Sequence, residues 1–100
     1  MIKGIRELMP VTELLAGLAE ECTELAQAAL KLRRVFDQTN PTPKKEDEAA
    51  EDLYEEVADV LLYLDQLPLP MPYIYGIADM KEKRWQERLM NVKQKKDTDS

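Results

Sequence analysis

The sequence predicts an all-α fold, an antiparallel helical bundle, and three observations carry that prediction. Apolar residues recur at alternating intervals of three and four along two long segments, no stretch shows strand-like alternation, and prolines cluster at the segment borders. Stripes of this period pack antiparallel helices at shallow crossing angles.

The elements follow in order. A short amphipathic piece, roughly residues 2–9, ends at Pro10. Thr12 is expected to cap a long helix running to about Phe36, with Glu13 near its positive end and Lys31, Arg33 and Arg34 near its negative end. Its expected seam is Leu15, Leu18, Cys22, Leu25, Ala29, Leu32 and Phe36. "DQTNPTPK" is a loop, because an Asn-Pro step and a second proline cannot continue a helix. A second helix starts near Lys45 to Asp47 and runs to about Gln66, with Leu53, Val57, Val60, Leu64 and Leu67 as its seam. "LPLPMP" breaks it. A third helix spans roughly Tyr73 to Lys93, with Ile74, Ala78, Trp85, Leu89 and Val92 in a stripe that Lys81 interrupts. One domain over residues 1–94 and a polar, frayed tail over 95–100 complete the reading. Three helices and a fragment make an awkward monomer, so the bundle is expected to be completed by a second chain, as a homodimer or a homotetramer.

Composition narrows the function. A formal charge of −6 argues against sequence-independent nucleic-acid binding and against docking on anionic membranes. No apolar run approaches the ~20 residues of a membrane span, and the start "MIKGIRELMP" lacks a signal-peptide apolar core. One cysteine cannot form an internal disulfide, which favours a reducing, cytoplasmic setting. The chain has no histidine, which excludes Ser-His-Asp triads and ordinary zinc sites.

The chemistry-bearing feature is acidic. Glu21 and Glu24 are neighbours on one helical face, and Glu56 and Asp59 repeat the spacing on the second helix. Each of the four precedes a seam residue by one position, so both pairs are expected to flank their seams at the same angular offset and to converge at one border of the core. None has a Lys or Arg three or four positions away. Either motif alone is ordinarily a solvated face; the paired spacing and the missing counter-ions favour a hard divalent cation held by oxygen ligands, Mg2+ with Mn2+ as substitute.

These residues resemble a known family. "EECTE" followed by "EVAD" is similar to the EExxE…ExxD signature of the MazG-like all-α nucleoside triphosphate pyrophosphohydrolases, and "LAEECTELAQAALKLRR" with "LYEEVADVLLYLDQL" extends the resemblance over residues 11–67. The interval of 31 residues between Glu24 and Glu56 is on the long side for that family. The resemblance implies hydrolysis of a nucleoside triphosphate between the α and β phosphates, to a monophosphate and pyrophosphate. It assigns Glu21, Glu24, Glu56 and Asp59 to Mg2+, and Glu20 to a further-shell, added-metal or water-orienting role. Lys81, Lys83 and Arg84 are the best candidates for contacting the phosphates, and Tyr63, one turn beyond Asp59, for stacking on a base. Trp85 and Cys22, each in a seam, read first as packing residues. Two other readings stand beside this one: a phosphoribosyl-ATP pyrophosphohydrolase-like relative, and a non-catalytic helical dimerisation module whose acids are solvated.

Overall fold

The computed structural model describes residues 4–39 and 45–99, with side chains through Lys96. Four helices make up the architecture: α1 (Ile5–Leu8), α2 (Val11–Phe36), α3 (Glu46–Gln66) and α4 (Met71–Asp99), with no strand among the described residues. The chain divides into two units, Met1–Pro68 and Leu69–Ser100.

The first unit is a helical hairpin, α2 packed against α3. Helix α2 begins one residue before the expected cap. Pro10, extended at ψ 154°, precedes Val11, and its carbonyl accepts from the amides of Glu13 and Leu14 at 3.0 and 3.1 Å. Thr12 is therefore inside the helix, and no side chain caps this end. Proline suits the position because its fixed φ already leads into a helical turn. Helix α1 is joined to the far end of α3 by a hydrogen bond that the Arg6 guanidinium donates to the Asp65 carbonyl.

The C-terminus of α2 is built as a Schellman motif. The Thr39 amide reaches the Arg34 carbonyl at 3.0 Å, the Gln38 amide reaches Val35 at 3.4 Å, and Gln38 takes φ 60°. The Asp37 side chain accepts from the Thr39 hydroxyl at 2.6 Å and from its amide at 3.3 Å. Those bonds, the Thr39 hydroxyl first, hold the Asp37 carboxyl below its ordinary range, with Arg33 adding a smaller effect. A glutamine in the left-handed region carries a Cβ penalty that glycine lacks. Gln38→Gly is therefore expected to raise unfolding stability by about 1 kcal/mol, read as a later urea midpoint with an unchanged slope. Residues 40–44 of the expected loop lie outside the described residues.

Helix α3 occupies its expected span. The inward rows do not. On α2, buried or half-buried positions are Leu14, Gly17, Leu18, Glu21, Leu25, Ala28, Leu32 and Val35; Leu15, Cys22, Ala29 and Phe36 of the expected seam are exposed. On α3 the row is Ala49, Leu53, Glu56, Val60, Tyr63, Leu64 and Leu67, while Val57 turns outward. Leu18, Leu25, Leu32, Leu53, Val60, Leu64 and Leu67 thus meet expectation, and the others shift by one residue. The reason is that α2 and α3 each carry two apolar rows about 100° apart, and apolarity alone selects the wrong one.

Gly17 sets the closeness of the hairpin. A Cβ built there would fall within 2.5 Å of Cζ and Oη of Tyr63, so the Tyr63 ring lies directly over the Gly17 backbone. Ala28 and Ala49, both buried, are small residues further along the same groove. Leu14, Ala28, Ala49 and Leu67 are the buried apolar residues among those described.

In the second unit, α4 starts at Met71 rather than Tyr73, because Pro72 is tolerated in a first turn where its missing amide hydrogen has no partner to lose. It continues past Lys93 to Asp99, through a segment without a breaker. Its stripe residues Trp85, Leu89 and Val92 are all more than half exposed, which corrects their reading as core.

Candidate metal centre

The acids stand closer to the packing surface than their spacing suggests. Glu21 and Glu56 occupy inward positions of the seam itself, while Glu24 lies beside it and exposed. The three come together: one carboxylate oxygen from each lies within 4.8 Å of the others. Asp59 is exposed and outside that trio, yet close enough for its charge to act on both Glu21 and Glu56. Glu20 is exposed. It sits about 100° around α2 from Glu21, towards the outer edge of the acidic flank.

Burial and mutual repulsion leave a chemical mark. The Glu21 carboxyl is pushed up from 4.5 to about 7, first by desolvation, then by hydrogen bonding and repulsion from Glu24, with Asp59 and Glu56 adding to it. Glu56 is raised too, again chiefly by desolvation, with Glu24 and Asp59 next. Even so, Oε2 of Glu21 and Oε2 of Glu56 are buried without a hydrogen-bond partner. Carboxylate oxygens removed from water ordinarily have one. A proton on Glu21 supplies part of the positive charge this cluster lacks.

The donor set fits a hard cation. The three convergent groups offer only carboxylate oxygens, the donor type that Mg2+ and Mn2+ take.

The raised carboxyls have a definite pH consequence in the metal-free chain. Between the unfolded value of 4.5 and the folded value of about 7, the native state holds a proton that the unfolded state has lost. Stability therefore falls as pH rises through this window and levels above it. Thermal midpoints in chelator should decline from pH 5 to above 7, and Glu21→Gln should flatten the decline.

The remaining expected site residues are placed as follows. Tyr63 is half-buried in the seam with its ring over Gly17, one helical turn beyond Asp59. Lys81, Lys83 and Arg84 are exposed on α4, in the second unit, where Lys81 and Arg84 border an open concavity with Trp85 on that helix's own surface. One residue was assigned differently by sequence reasoning. Lys31, attributed to the helix dipole, lines a cleft of about 320 Å³ on the acidic flank together with Glu24, Gln27, Asp52, Glu55 and Glu56. The signal is its spacing: Glu24, Gln27 and Lys31 are three and then four apart, hence on one face of α2.

Comparison with models of protein families, with curated proteins and with solved structures finds no match to this chain.

Proposed function

We propose that the protein is a Mg2+-dependent nucleoside triphosphate pyrophosphohydrolase, cleaving an NTP or dNTP at the α–β phosphoanhydride to a monophosphate and pyrophosphate. The observation that carries this reading is the convergence of Glu21, Glu24 and Glu56 with two buried carboxylate oxygens left unpartnered. The EExxE…ExxD resemblance over residues 11–67 supports it.

In this reading Glu21, Glu24 and Glu56 hold the ion, and Asp59, whose charge already reaches the cluster, completes the set. Bound Mg2+ would neutralise phosphate oxygens and make a coordinated water more acidic, the two services that phosphoryl substitution most needs. The chain's own part is positioning. Gly17 and Tyr63 lock the hairpin so that the two acidic rows face one another at a fixed separation. Glu20, outside the converging trio, is left to orient the attacking water or a further ion. Tyr63 remains available at its outer edge for a base. The test is incubation with a panel of NTPs and dNTPs in Mg2+, assayed for pyrophosphate. Failure to release pyrophosphate from any of them, with no thermal stabilisation by millimolar Mg2+, would remove the enzyme reading and leave a helical interaction module.

We further propose that the hairpin pairs with a second copy. Leu15, Cys22 and Phe36 of α2 and Tyr54, Val57 and Leu61 of α3 are exposed, and each row lies about 100° from its seam on the side away from the acids. Because the helices are antiparallel, the two rows share one flank. Leu15 is 51% exposed, Phe36 61% and Leu61 59%, in a chain whose described core is four residues; an apolar flank of this kind is the ordinary mark of an interface. Leu61→Lys is expected to shift the light-scattering mass from dimer or tetramer to monomer, and an unchanged mass would place the contact elsewhere.

A further inference from the structure

Among the described residues that line the cleft beside the acids, Lys31 is the basic one. Ala28 and Ala49, both buried, form the close-packed part of the lining, and acids stand on both helices around it. Lys31 lies seven residues beyond Glu24, two turns or about 10.5 Å along the axis. Side chains on a helix lean towards its N-terminus, so the Lys31 ammonium leans back towards the Glu24 turn. No ion pair among the described residues holds it. The arrangement is an acidic cluster followed, along one face of α2, by a cation that lines the same cleft.

We propose that Lys31 is a phosphate-positioning residue that receives the β- and γ-phosphates, the pyrophosphate leaving group, of a triphosphate whose α-phosphate lies at Glu21, Glu24 and Glu56. This rests on the hydrolase reading above. It also gives the substrate a direction. Along α2 the Gly17–Tyr63 contact and Lys31 lie on opposite sides of the acidic trio, so the nucleoside points towards Tyr63 and the tail towards the α2 C-terminus. The ammonium donates to non-bridging oxygens and offsets the charge that gathers on the leaving group as the Pα–O bond breaks. A lysine serving only to moderate its acidic neighbours would have no preference between a phosphate tail and none.

The test is calorimetric titration of the full chain with inorganic pyrophosphate in millimolar Mg2+, beside titrations with Mg2+ alone and with a nucleoside monophosphate. Lys31→Met is expected to weaken pyrophosphate binding roughly ten- to hundredfold, as loss of a charge-assisted hydrogen bond does. Mg2+ affinity should be unchanged or slightly tighter, monophosphate affinity unchanged, and Lys31→Arg should keep most of the pyrophosphate binding. In turnover, kcat/KM for triphosphates should fall by at least the same factor. Wild-type pyrophosphate affinity in Lys31→Met, or an equal loss of Mg2+ and pyrophosphate, overturns this proposal alone. Absence of Mg2+ binding in the unmodified chain overturns the metal reading, and this one with it.

Discussion

Glu56→Gln is expected to cut pyrophosphate release by at least about a hundredfold, since even residues that merely support metal ligands cost ten- to a hundredfold. The same substitution should raise the metal-free thermal midpoint. Oε2 of Glu56 is buried without a partner, and desolvation and the charges of Glu24 and Asp59 already oppose its ionised form. A neutral amide of the same shape removes that repulsion. Opposite signs in activity and in stability are what a binding site imposes on a fold, whereas a solvated acidic face predicts no change in either. Glu21→Gln should behave alike, and in both variants the stabilisation by Mg2+ should vanish. A variant that keeps full turnover, or retains the wild-type Mg2+ shift, would show that these carboxylates do not hold the ion.

Gly17→Ala should lower unfolding stability by about 1–2 kcal/mol, against the gain of about 1 kcal/mol that alanine brings to an ordinary helix interior. The added methyl would meet the ring of Tyr63, and relief requires the ring to swing away from α2 or the helices to part. Parting them would also separate Glu21 and Glu24 from Glu56, so turnover should fall with stability. Tyr63→Ala should itself cost stability through lost packing, yet the second substitution should add little in its presence. A double-mutant cycle in urea measures the coupling; additive losses would mean that Gly17 and Tyr63 do not meet.

The helices and their order were legible in the sequence because proline placement and three-four periodicity are local signals. Pro10, the Asn-Pro step and the prolines of "LPLPMP" bound the elements to within two residues at the borders they mark, whereas α4, with no proline after it, runs to Asp99 rather than Lys93. The acidic trio was legible for the same reason, since three- and four-residue spacing fixes which side chains share a face. The rotation of the helices was not. Both Leu15 and Leu14 begin plausible stripes, and choosing Cys22 over Glu21 follows hydropathy where the fold follows the partner helix. A half-buried glutamate in a seam is the kind of position where local preference is expected to fail, because a requirement other than packing decides it. Lys31 was visible as a residue but not as a cleft lining, which depends on α3 lying opposite.

That only four apolar side chains among the described residues are buried has a consequence of its own. So small a buried core leaves the hairpin a narrow margin over the chain entropy of ordering two long helices. If the exposed flank is closed by another copy, folding and assembly become a single equilibrium, and mass action enters the stability of every subunit. Dilution then acts as a denaturant. In that case the amount of protein in the cell would set the fraction of chains with a formed acidic cluster, and that fraction would rise more than in proportion to synthesis.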